Sequence, residues 1–157
     1  LDGGLVDRRQ FLRVTTGAVA GTVLASQLTS ALAQGGLEGE DIANLNKGLQ
    51  QTIGRSITDL TAAKEVRLVV PSTAESGANV PLEIKVGLPA EQVKAIHCFS
   101  DQNPSPHLFS IIPSGVLPFY ATRVRLAATS PVRAVVETAD GRYLLASQSV
   151  RVAVGGC

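Results

Sequence analysis

The residues best suited to chemistry stand at the end of the chain, where "RVAVGGC" passes from an alternating strand pattern into Gly155, Gly156 and Cys157. Cysteine is a nucleophile as its thiolate, and an unperturbed thiol with a pKa of about 8.5 is only a few per cent ionised at neutral pH. Nothing in the neighbouring sequence would lower that value. Such a thiol is a poor catalyst but an adequate attachment point. Two glycines before it act as a hinge, because they lack a Cβ and any packing to anchor them, and three extended residues reach roughly 10 Å. The pattern therefore reads as a handle for other proteins to work on, with Gly155 and Gly156 as a flexible arm and Cys157 as the site of covalent attachment. Two further readings of Gly-Gly-Cys remain: a frayed terminus, and a disulfide to Cys98, the other cysteine of the chain.

Other site types find little support. The sequence has no G-x-S-x-G, no C-x-x-C, no glycine-rich loop between strand and helix, and no clustered metal-ligand set. His97 and Cys98 are adjacent, and neighbours on a strand face opposite ways, so the two do not converge on one ion. His97 is expected at a polar, outward position. Cys98, in phase with Ile96, is expected as a small buried hydrophobe. Asp101, Glu137 and Asp140 fall in expected turns or on strand faces without pairing for acid and base work. These observations predict no enzyme active site, no metal and no cofactor.

The opening segment, "DRRQFLRVTTGAVAGTVLASQLTSALAQ", has paired Arg8 and Arg9 followed by an uncharged, weakly apolar run from Val14 to Leu28. That run is too short to span a bilayer, and Ala31-Leu32-Ala33 offers a small-x-small cleavage site. Residues 1–33 read as a twin-arginine export signal, with Gln34 as the mature amino terminus and the periplasm as the destination. Without it, Lys+Arg falls from 14 to 11 and Asp+Glu from 13 to 11, so the mature chain is formally neutral. Neutrality disfavours nucleic acid as a partner, and no membrane association is expected after cleavage.

The elements that must position the arm follow. Residues 34–64 read as a linker and a short helix, with Ile42, Leu45, Leu49 and Ile53 near helical spacing, acidic residues at its start and Gly54 at its end. Residues 65–154 change to short β-branched runs: "EVRLVVP", "VPLEIKVGL", "KAIHCFS", "HLFSIIP", "FYATRVRLAA" and "VRAVVETADGRYLLASQSVRVAV". Alternation at Val80, Leu82, Ile84 and Val86, and at Val124 and Leu126, predicts half-buried strands. Asp140-Gly141 predicts a hairpin. The fold class is all-β: an immunoglobulin-like antiparallel sandwich of about seven strands with a short N-terminal helix, ending in the arm at 155–157. Apolar stretches close to turns, "LFSIIP" and "VLPFY", predict a stable hydrophobic heterodimer.

The segments "VRLVVPSTAESGANVPLEIKV", "QNPSP", "RVRLAATSPVRAVVETADGRY" and "VRVAVGGC", together with the leader, resemble SoxY, the sulfur-carrier family of the bacterial Sox system that oxidises thiosulfate. Members of that family usually carry two further glycines after the cysteine, which this sequence lacks. The resemblance implies a heterodimer with a second small sandwich, SoxZ, and covalent attachment of sulfur species at Cys157. It also implies transient partners. A c-type cytochrome complex, SoxAX, oxidatively joins thiosulfate to the thiol; the hydrolase SoxB removes the terminal sulfone as sulfate; and the sulfur dehydrogenase SoxCD oxidises the remaining sulfane.

Overall fold

The computed structural model describes residues 39–115 and 117–155. The expected signal segment at 1–33, and Gly156 and Cys157, lie outside the described residues.

Helix α1 (Gly39–Ile53) carries the expected apolar stripe. Leu45 and Leu49 are fully buried against Phe99, Val135 and Leu145, with Ile53 partly buried beside them. Burial of this kind is worth about 1.5–3 kcal/mol per large side chain, and it holds the helix on the sheet. The helix ends at Gly54, whose N–H bonds the Gln50 carbonyl at 3.1 Å.

The strands are β1 (Thr61–Ala62), β2 (Val66–Val69), β3 (Thr73–Ser76), β4 (Val80–Val86), β5 (Val93–Ser100), β6 (His107–Ile111), β7 (Phe119–Val124), β8 (Ser130–Thr138) and β9 (Tyr143–Val154). The larger sheet has the order β1-β9-β8-β5-β6, with β3 also paired to β9; the smaller is β2-β4-β7. Face to face they form an immunoglobulin-like β-sandwich. Its core joins Val80, Leu82, Ile84 and Val124 of one sheet, with Leu126 just beyond β7, to Ile96, Cys98, Val132, Ala134, Val136 and Val150 of the other.

The larger sheet is buried on both faces at its centre. Val132, Ala134 and Val136 face the sandwich core while Val135 faces α1, so β8 reads as a nearly continuous apolar run instead of an alternation. The β8–β9 hairpin turns at Asp140-Gly141 as predicted, with Gly141 at φ 84°, a left-handed conformation that glycine adopts without cost.

Two strands go beyond the seven expected. Both β1 and β3 pair with β9, and both pairings are parallel, in a sheet whose other ladders are antiparallel. The first strand therefore falls at Thr61, ahead of residue 65, where the sandwich was expected to begin.

Candidate functional site

β9 is the strand that delivers the carboxyl end, and its surroundings determine where an arm could begin. Its partner β8 starts at Ser130, opposite Val150. Beyond that point β3 takes over on one side, pairing Thr73 with Arg151, Ala74 with Val152 and Ser76 with Val154. On the other side the Thr129 hydroxyl accepts the Val152 N–H at 3.0 Å and lies 3.4 Å from the Val152 carbonyl, continuing the ladder with a side chain.

Gly155 is solvent-exposed, yet its backbone lies directly against the Ala127 carbonyl. A Cβ built on Gly155 would overlap that oxygen. The expectation that Gly155 lacks packing to anchor it is therefore corrected: its missing side chain permits a close backbone approach, which explains the glycine as well as flexibility would. The segment it meets is itself held. Asn103 donates from Nδ2 to the Arg125 carbonyl and accepts the Ala127 N–H at Oδ1, both at 2.9 Å. The Leu126 N–H bonds the Gly77 carbonyl at 2.8 Å.

Cys98 is fully buried in the sandwich core and unpaired. Desolvation pushes its thiol pKa up to about 12, so it has almost no thiolate at neutral pH. The reading of Cys98 as a small buried hydrophobe holds.

His97 faces away from Cys98, as strand geometry requires, but it is only 7% exposed and so is not the open polar position expected. Its Nδ1 lies 2.7 Å from the Ser110 hydroxyl, which also lies 2.8 Å from His107 Nε2. A hydroxyl has one proton, so Ser110 donates to one ring and accepts from the other. His97 Nε2 is buried without a hydrogen bond, 4.0 Å from a Glu137 oxygen. Burial is the main cause that lowers the His97 pKa, and the Glu137 carboxylate opposes it. Glu137 is held below the usual carboxylate range, chiefly by its 2.6 Å hydrogen bond from Lys94. The sequence did not reveal this cluster because its members come from three strands.

Asp101 is buried and takes three contacts of 2.8–3.0 Å from Arg133, so it is structural rather than reactive. Asp140 is lowered by hydrogen bonds from the Thr138 hydroxyl and then Arg142, and it serves the hairpin. Among the described residues, no group of three or more His, Cys, Asp or Glu could hold a metal ion, and no helix is long and apolar enough to cross a membrane.

The edge of the sandwich formed by β6 and β7 carries Ile112, Leu117 and Phe119, exposed at 77%, 85% and 51%. Both strands are terminal in their sheets, and the Phe109 and Tyr120 rings, 5.3 Å apart, join the two sheets there.

A family model described as sulfur oxidation protein SoxY matches residues 50–157, including the strand and its Gly-Gly-Cys. The chain belongs to the SoxY family. A solved structure, the sulfur carrier protein SoxY from Chlorobium limicola f thiosulfatophilum, is 25% identical, with a TM-score of 0.62 over 71% of this chain and 94% of that one. A superoxide reductase (neelaredoxin) from Ignicoccus hospitalis is more distantly similar, at 14% identity and a TM-score of 0.48 over 55% of this chain and 79% of that one. No curated protein matches. Of the two cysteines, Cys98 is sealed in the core, and Cys157 follows in sequence a strand whose pairing with β3 extends to Val154.

Proposed function

We propose that this SoxY protein is a periplasmic sulfur carrier that holds thiosulfate-derived sulfur on Cys157 and presents it to partner enzymes. The observation that carries the reading is the relation of β9 to the closing residues. The longest strand of the fold runs past its hairpin partner and leads straight into Gly155-Gly156-Cys157, while the other thiol is inaccessible.

The steps balance without chemistry by the carrier itself. On loading, the Cys157 S–H gives up its proton, an S–S bond forms to the outer sulfur of thiosulfate, and an electron pair passes to a c-type cytochrome complex of the SoxAX kind. Water then attacks the terminal sulfone in a SoxB-like hydrolase; the bond between sulfane and sulfone breaks, sulfate leaves, and a persulfide stays on the cysteine. A SoxCD-like dehydrogenase oxidises that sulfane to a sulfonate with three oxygens from water, passing six electrons to a cytochrome acceptor, and a second hydrolysis releases sulfate and restores the thiol. The carrier contributes a nucleophilic attachment atom and reach.

The exposed apolar edge at Ile112, Leu117 and Phe119 is the surface we assign to a SoxZ-like subunit, because three large apolar groups on one open edge are a feature of partner contacts. Export by a twin-arginine signal over 1–33 would put the carrier in the compartment where these partners act.

Intact mass of the protein from cells grown on thiosulfate tests the reading. The expected result is added mass, removable by a reductant and mapped to "VAVGGC". Protein from such cells with no adduct, or with its adduct on Cys98, contradicts it.

A further inference from the structure

We infer that the strand end leading to Cys157 is a rigid root, held as far as Gly155, with Asn103 as its positioning residue. The inference deepens the carrier reading and rests on it for its purpose, while its geometry stands alone.

Three described contacts converge on the root. β3 holds Arg151 to Val154 by backbone pairing, and the Arg151 N–H also bonds the Ser72 carbonyl at 2.9 Å. Thr129 satisfies Val152 from the opposite side. The Ala127 carbonyl occupies the space where any side chain at Gly155 would stand. Without Asn103 the segment from Arg125 to Ala127 would have to find other partners for a donor and an acceptor. Asn103 supplies both from one amide and is itself only 8% exposed.

Asn103 is fixed in turn from beneath. Asn44 of α1 donates from Nδ2 to the Asp101 and Asn103 carbonyls, each at 2.9 Å, and Arg133 grips the Asp101 carboxylate. A run of polar contacts thus links the helix, the "QNPSP" turn and the β7–β8 connection, whose Ala127 carbonyl lies against the backbone of Gly155 at the end of β9. This gives "QNPSP" a role unconnected with metal binding or catalysis. A rigid root has a functional consequence: a short arm that starts from a fixed point delivers its cargo over a small volume, which raises the effective concentration at a docked active site.

The test measures distances between nitroxides on Val154→Cys and on an Arg67→Cys substitution on exposed β2, in the full chain carrying Cys157→Ser, with its partner subunit. The starting protein should give a narrow distribution. Asn103→Ala and Gly155→Ala should each broaden it, and amide exchange at Ala127 should quicken roughly tenfold or more in Asn103→Ala, the expected effect of losing a buried acceptor. Val136→Ala, which loosens the core without touching the root, should leave the width unchanged, and Thr129→Val should act like the root variants even if Asn103→Ala fails to fold. Equal widths in all variants, or equal broadening by Val136→Ala, would overturn the inference. Because the distances need no sulfur chemistry, they are independent of the adduct mass that tests the carrier reading.

Discussion

Iodoacetamide added to the native protein at about pH 7.5 should alkylate Cys157 and spare Cys98. Alkylation needs a thiolate and an open path to it. With its pKa pushed to about 12, Cys98 has a thiolate fraction roughly three thousandfold below that of an ordinary thiol at about 8.5. It is also fully buried between Ile96, Val132 and Ala134, so the reagent reaches it only in molecules that have opened the core. If that opening approaches global unfolding, at about 5–15 kcal/mol, the accessible population is below one in a thousand. The two factors act on the same cysteine and make its native labelling negligible over hours. The assay is peptide mapping by mass spectrometry at timed intervals, with a parallel sample in about 6 M guanidinium, where both cysteines should react at similar rates. Native alkylation of Cys98 at a rate comparable to Cys157 would refute the burial argument and the assignment of the carrier thiol with it.

Arg133→Met leaves the Asp101 carboxylate buried without its three contacts, and should cost about 3–5 kcal/mol in urea unfolding; a loss under about 1 kcal/mol would mean that water enters the site. His97 is held below its usual pKa by burial, so the unfolded chain binds its proton first as pH falls. Stability should therefore be fully present above about pH 6.5 and decline as acid approaches the folded value, with Glu137 moderating the effect while His107 and Lys94 add to it. His97→Asn should flatten the melting temperature against pH over that range, and an unchanged slope would assign the dependence to other groups. Replacing Ile112, Leu117 and Phe119 by serine should abolish association with the partner subunit in sedimentation, with stability changes within about 0.5 kcal/mol per site. Undiminished association would remove that edge from the interface.

Where one face of a strand is buried, the sequence was legible: β4 alternates because Val80, Leu82, Ile84 and Val86 meet the core while Pro81 and Lys85 face out. The helix was legible for the same reason, through Leu45 and Leu49. β1 and β3 were not, because "TA" and "TAES" are short and mostly exposed, and only the exposed edge of β9 makes them strands. Arg133 and Asp101 gave no sign of pairing, since an ion pair between a strand and a distant turn leaves no periodic trace. Gly155 was legible as a glycine before the cysteine, but its approach to Ala127 depends on a loop placed by Asn103, which only the fold brings near. His97 was expected in the open because a strand's outer face is usually wet; here neighbouring side chains from β6 and β8 cover it.

Whether sulfur travels on Cys157 is tested most directly by thiosulfate-dependent electron transfer in a reconstituted system containing Cys157→Ser. Transfer to the cytochrome should be lost, while unfolding and partner binding match the parent protein, because the substitution exchanges one sulfur for oxygen and leaves every residue of the two core clusters in place. Full electron transfer by the serine variant would contradict carriage on Cys157.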